Sequence, residues 1–147
     1  MIKRIEMKEM IVNHLVKGED LNHHKTLFAG RTAEWFVESG FIAAAAIVDP
    51  KDIICLKIHG MTFNKPVKAG NIVCFRSKVV YAGRTSLTSF VKVSIIHTEN
   101  EVNDLVDGYI TFVHVDEHGK PLPHNLEIIA NTEEDKAIQE EVKSFKK

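Results

Sequence analysis

At 147 residues, 44% of them hydrophobic and 27% charged, the chain has the size and composition of one globular domain able to bury a core. Its formal net charge of −1 argues against a nucleic-acid binder held by bulk charge. No stretch approaches the ~20 apolar residues of a membrane span, and the N-terminal MIKRIEMKEM lacks the apolar run of a signal peptide. The two cysteines, Cys55 and Cys74, each sit inside an apolar run, and no CxxC or Cys/His ligand spacing appears. These features predict a cytoplasmic protein with two buried, reduced thiols, no metal site, and neither a membrane nor a nucleic-acid partner.

In chain order, residues 5–16 alternate, with Met10, Val12 and His14 on one side, and read as a strand. Lys17-Gly18-Glu19-Asp20 turns the chain into a polar loop, residues 22–26. A small pair, Ala29-Gly30, then precedes a long apolar segment, residues 32–48, in which Ala33, Phe36, Val37, Gly40, Phe41 and Ala44 recur at helical spacing. Ala43, Ala44, Ala45 and Ala46 make its far end apolar all round, which predicts a buried helix. Asp49-Pro50 ends it, because a residue before proline avoids the helical region. The pattern then changes to period two. Strands are predicted over 53–58, leading to Met61-Thr62-Phe63, and over 72–81, 84–97 and 104–115. Ala82-Gly83 turns one pair, and Glu99-Asn100-Glu101 gives a tight connection of hairpin type. Glu117-His118-Gly119 and Pro121-Leu122-Pro123 then break the chain. Residues 133–147 form a charged, weakly amphipathic helix with Ala137, Ile138, Val142 and Phe145 as its apolar points.

A strand, one long helix and then four strands in a meander imply an α+β fold, an antiparallel sheet wrapped around one long buried helix. Residues 1–126 form this domain and residues 127–147 a charged C-terminal helical tail. One helix cannot cover both faces and both edges of such a sheet, so a second copy is expected to do so, with a larger assembly of dimers beyond it.

Several residues carry chemistry. The backbone N–H of Gly30, at the start of a buried helix, suits an oxyanion; the small pair equally suits close packing of chain and helix. Asn22 is placed as a turn-former or as a polar group beside that helix start. His23 and His24 add titratable groups next to it. Glu34 and Glu38 are a like-charged i, i+4 pair on an apolar helix, which needs a balancing charge such as Arg31. Each acid can serve as a base in a partly dry cleft or as one half of an ion pair. Arg84, Thr85 and Ser86 start a strand straight after Gly83, and a guanidinium with two hydroxyls suits phosphate. His59, ahead of Phe63, faces either a cleft or the core. Trp35 and Phe36 are expected to pack a dimer core.

The motifs LNHHKTLFAG, EWFVESGFIAAA, MTFNKPVKAGNIV, YAGRTSLTSFVKV and YITFVHVDEHGKPLP follow one another in the order found in hot-dog-fold proteins. Together they resemble the acyl-CoA hydrolase branch of hot-dog thioesterases, across about residues 5–126. The resemblance implies hydrolysis of an acyl-CoA to free acid and coenzyme A, with no cofactor other than the coenzyme A of the substrate. It further implies a site between two subunits. There the Gly30 N–H faces the thioester carbonyl, and Asn22 of one chain works with Glu34 or Glu38 of the other. His23, His24, Arg84, Thr85 and Ser86 bind substrate, and Lys65, Lys68, Lys120, Lys143, Lys146 and Lys147 are unranked candidates for its phosphates. A homodimer, assembled into a tetramer or hexamer, follows from the same resemblance. Two positions depart from the pattern. Ala29 replaces the usual first glycine. Val37, seven positions after Gly30, replaces the usual carboxylate, and a valine neither takes a proton nor attacks a carbon. Val37 therefore supports a rival reading, a hot-dog protein that binds an acyl-CoA or other thioester without hydrolysing it. A dehydratase-like enzyme is disfavoured, because no paired Asp/His motif is present.

Overall fold

The computed structural model describes residues 1–96 and 101–145, with backbone alone at 101–104. Two strands replace the single one expected over residues 5–16. β1 (Lys3–Glu6) leaves the main sheet and pairs in parallel with β7 (Leu126–Ile129), a strand the local pattern did not announce. β2 (Met10–Leu15) pairs antiparallel with β4 (Ile72–Ala82). Between β1 and β2, Met7 packs onto the core, and this divides the run.

The main sheet has five antiparallel strands in the order β2-β4-β5-β6-β3. Its centre is β4, β5 (Ser86–Ile96) and β6 (Glu101–His114), joined as the expected meander. β3 (Ile53–Ile58) is not the first strand of that meander. It lies beyond β6 at the far edge, because the short turn Pro50–Asp52 delivers the chain to the end of β6, where Val115 N donates to Asp52 O at 2.8 Å. The connection expected at Glu99-Asn100-Glu101 lies outside the described residues at its first two positions, as does His97. Strand β5 begins at Ser86, so Arg84 and Thr85 belong to the preceding turn and not to the strand. That turn is closed by Gly83 N donating to Ser86 O at 3.0 Å.

Helix α1 (Ala29–Ala45) lies across one face of β4 and β5. Phe36, Ala43 and Ala44 enter the core with Phe75, Leu87, Val91, Ile110 and Phe112. Phe36 is fully buried within one chain, so its role is intrachain packing and not a dimer core. Gly40 permits the closest approach, since a Cβ there would lie 2.8 Å from Ile110 Cδ1. Three buried serines pin the helix. Ser77 Oγ donates to Ser39 O at 2.8 Å, Ser39 Oγ donates to Ser77 Oγ at 3.1 Å, and Ser89 Oγ donates to Gly40 O at 2.9 Å. Burial is one-sided, and Ala46 is exposed despite the apolar far end, because a single sheet covers only one flank of the helix.

Helix α2 (Glu133–Lys143) packs on the opposite face of the sheet, with Val142 buried beside Val80 and Tyr109. Thr132 caps it by accepting from Asp135 N at 3.0 Å. Gln139 Nε2 donates to Val80 O and Ile128 O at 2.9 and 2.8 Å, and Tyr109 Oη donates to Glu141 Oε1 at 2.9 Å. The boundary expected at 126/127 falls inside β7. Lys146 and Lys147 lie outside the described residues.

No disulfide joins the cysteines; Cys74 is buried, but Cys55 is exposed, because β3 is an edge strand with one neighbour. Ile54, Leu56 and Ile58 are also exposed along that edge. Among the described residues, no helix is long and apolar enough to cross a membrane.

Candidate active site

The loop before α1 is held by Asp20, whose side chain is buried. Its carboxylate accepts from Lys17 N at 2.8 Å and lies 3.3 Å from Arg31 Nε, and its carbonyl accepts from Phe28 N at 2.9 Å. Asn22 adopts the turn-forming role. Its Oδ1 accepts from His24 N at 2.8 Å, Thr26 N at 3.1 Å and Thr26 Oγ1 at 3.3 Å, with Lys25 in the left-handed region at φ 64°. The Asn22 carboxamide nitrogen donates to no atom of the described residues. His23 and His24 are exposed, with ring centroids 3.9 Å apart.

No side chain caps α1, and the N–H groups of Ala29 and Gly30 donate to no acceptor among the described residues. They are the orphan donors of a helix start, aligned with its dipole. In the single chain, this tip is exposed. The Phe28 ring folds back onto it, so closely that a Cβ at Gly30 would meet Phe28 Cε2 at 2.5 Å.

The two helix acids point to different places. Glu34 follows Gly30 by one turn on the same face, and its Oε1 is 3.3 Å from Arg31 Nη1. Arg31 thus balances Glu34 and buried Asp20 together. Glu38 turns toward β2, where its Oε1 is 3.9 Å from His14 Nε2. His14 stacks on Trp35 at 4.1 Å, and burial pulls its pKa down against the opposing charges of Glu38 and Asp20. Both acids are exposed in the single chain, so the dry cleft expected around them is not formed by one chain alone. Val37 is half-buried against the core.

Three clefts follow one another around the sheet edge. The first, about 280 Å³, is lined by Asn22, Leu27, Ala29, Thr32, Asn64 and Leu105 and opens beside the start of α1. The second, about 300 Å³, shares Asn64 with it and continues past Gly60 and His59. The third, about 560 Å³, shares His59 and Phe145 with the second and holds Arg84, Thr85 and Ser86. The joining segment lies directly on β6, since a Cβ at Gly108 would sit 2.8 Å from Gly60 O and 3.2 Å from Phe36 Cζ. In the third cleft, His59 Nε2 is 2.7 Å from Thr111 Oγ1, which is 2.9 Å from Thr88 Oγ1. Burial, then the charge of Lys57, holds His59 below the usual histidine range.

The structure therefore brings Asn22 and the start of α1 together, and Arg84, Thr85 and Ser86 together, but leaves His23 and His24 in solvent and Glu38 a turn further along α1 than Glu34, beside His14 of β2. Sequence reasoning missed Asp20, Thr88, Thr111 and Lys57. The two threonines carry a legible signal, since they sit at alternating strand positions among apolar residues and had to find a shared partner.

Residues 24–100 match the model of the thioesterase superfamily. An uncharacterized acyl-CoA thioester hydrolase of Bacillus subtilis is 31% identical over 117 residues, covering 79% of this chain and 67% of the relative. Among solved structures, an acyl-CoA hydrolase from Staphylococcus aureus, in complex with butyryl coenzyme A, coenzyme A and coenzyme A disulfide, superposes with a TM-score of 0.85. It is 25% identical and covers 96% of this chain and 87% of its own. The hexameric thioesterase of Yersinia pestis superposes with a TM-score of 0.68 at 26% identity, over 76% of this chain and 91% of its own. The S. aureus enzyme has also been characterized with alanine at an asparagine, at an aspartate fifteen positions later, and at a threonine seventeen further on. The same intervals counted from Asn22 land on Val37 and Ile54.

Proposed function

The chain belongs to the thioesterase superfamily, and from that membership we propose that it is an acyl-CoA thioester hydrolase releasing free acid and coenzyme A. The observation that carries this reading is the pair of N–H donors at the start of α1 with no acceptor among the described residues, beside a cleft lined by Asn22, Ala29 and Thr32. The Gly30 N–H takes the thioester oxygen as it becomes an oxyanion. A water oxygen bonds to the carbonyl carbon, the C–S bond breaks, and the proton that Glu34 takes from water passes to the departing thiolate. Asn22, its oxygen committed to the loop, offers N–H donors to the water or the thioester.

Glu34 is the acid we assign as base, because it shares the Gly30 face, whereas Glu38 faces His14. The exposed edge of β3 and the exposed tip of α1 support a site completed by a second copy, with Asn22 of one chain working with the acid of the other. The hexameric neighbour supports assembly beyond a dimer. Two cysteines without a disulfide are consistent with the cytoplasm.

A second reading, binding without hydrolysis, is favoured by one observation: aliphatic Val37 and Ile54 stand at the intervals of an aspartate and a threonine in the S. aureus enzyme. Thiol release from an acyl-CoA panel decides between them. Turnover supports hydrolysis; a raised melting temperature without thiol release supports binding. With turnover, Glu34→Gln is expected to lower kcat on the order of 100-fold and Glu38→Gln to leave it near wild type. Full rate in both variants would remove the helix acids from the mechanism.

A further inference from the structure

Two histidines hold the backbone of the turn that carries Arg84, Thr85 and Ser86 from outside it. His124 N donates to Arg84 O at 3.4 Å and His114 N to Thr85 O at 2.6 Å, and the His124 ring sets Nε2 2.9 Å from Ser86 O. Ser86 O also accepts from Gly83 N, so that carbonyl is bonded from two directions. The other nitrogen of the His124 ring, Nδ1, accepts at 3.0 Å from the N–H of Leu126, the first residue of β7. Asn125, left-handed at φ 59°, turns the chain back toward the ring between them. These partners fix the tautomer. A carbonyl needs a proton on Nε2 and an N–H needs a lone pair on Nδ1, so the neutral Nε2–H ring satisfies both. The ring also borders a cleft of about 640 Å³, which gives it room and access to protons. The groups that face it are His114 of β6, with ring centroids 6.1 Å apart, Arg84 of the turn, and Glu127 of β7, whose Oε1 lies 3.1 Å from Arg4 Nε of β1. Burial, opposed by the bond to Ser86 O and followed by the charge of His114, holds the ring below the usual histidine range. A second proton goes to Nδ1 and meets the Leu126 N–H head-on. The bond to Ser86 O is then kept by a charged donor, while the bond to β7 is lost.

We propose that His124 is a positioning residue, a single ring that ties the Arg84–Ser86 turn to strand β7 and so sets the turn for substrate. Its Nε2–H fixes the turn, its Nδ1 fixes the tail, and a proton undoes the tail side alone. The assignment rests on the reading of Arg84, Thr85 and Ser86 as substrate-binding residues, and adds to them a residue that acts through their backbone.

Two substitutions separate the two bonds, and neither new side chain titrates. A glutamine amide nitrogen takes the place of Nε2 and keeps a donor for Ser86 O. An asparagine oxygen takes the place of Nδ1 and keeps an acceptor for the N–H two residues on, as Asn22 Oδ1 does for His24 N. On the full chain, calorimetric titration with coenzyme A and kinetics with butyryl-CoA read the turn, and hydrogen exchange at the Leu126 amide reads the tail. His124→Asn is expected to weaken coenzyme A binding and raise KM on the order of fivefold with kcat unchanged, and His124→Gln to stay near wild type. The protection factor of the Leu126 amide should fall in the wild type between pH 7.5 and 5.5, hold across that range in His124→Asn, and be low throughout in His124→Gln. Arg84→Ala tests the reading beneath: coenzyme A affinity unchanged by it would mean that the turn binds no substrate, and the assignment falls. If Arg84→Ala weakens binding while the asparagine and glutamine variants bind coenzyme A alike, His124 does not position the turn. Leu126 protection indifferent to pH in the wild type would overturn the tie to β7. If no thioester is cleaved while coenzyme A affinity separates the two variants, the hydrolase reading fails and the positioning role stands.

Discussion

His14, His59 and His124 are each held below the ordinary histidine range, with burial the first cause in every case. The unfolded chain therefore takes up their protons first as pH falls. The sign is that of a neutral buried base: its contribution to stability is complete above the unfolded value of about 6.5 and is lost as pH falls from there through the lower folded value. The urea midpoint should drop between pH 7.5 and 5.5. His14→Phe, which keeps the stack on Trp35 and removes a buried Nε2 that makes no hydrogen bond, should reduce that drop. An unchanged drop would show that His14 contributes nothing to it. Part of this chemistry was legible in the bare sequence. Asn22 before a helix could be read as a turn-former, and that reading describes its oxygen, while Arg31 was expected to balance the helix acids and does so for Glu34. The partners of Asp20 and His14 were not legible, because contacts between a loop and a helix, or between a strand and a helix, leave no local spacing.

At the level of elements, helical and strand periods located α1 and β4–β6 closely, because each buries one face and repeats accordingly. Pairing partners were less accessible. β1 with β7 joins segments from opposite ends of the described chain, and β3 reaches the far edge through a connection whose direction no local pattern encodes. Strand interiors also carried a signal that was passed over. Ser77 and Ser89 stand on the buried face among Phe75, Leu87 and Val91, and polar groups there must find partners. They bond helix carbonyls and fix how α1 sits on the sheet. Ser77→Ala removes the donor to Ser39 O and the acceptor of Ser39 Oγ at once, so it should cost about 1–2 kcal/mol in urea denaturation. A change within error would mean that packing alone seats the helix.

Taken whole, one chain presents an unfinished surface. α1 is covered on one flank, its tip is exposed, and the β3 edge offers Ile54, Leu56 and Ile58 to solvent beside unpaired backbone. Strand patterning and the single central helix already pointed to a second copy, but not to which edge it would take, since exposure depends on strand order. Leu56→Lys places a charge on that edge and should shift the protein to monomers in size-exclusion chromatography with light scattering, with thioester turnover falling alongside. Monomers with full turnover would place the entire reaction inside one chain.

Gly108 gives the arrangement its last consequence. The segment around Gly60 can lie flat on the sheet because β6 has nothing but hydrogen at the point where the Gly60 carbonyl crosses it. A single methyl there would act as a wedge, prising the crossing segment away from β6 and disturbing the seat of Phe36 beneath it.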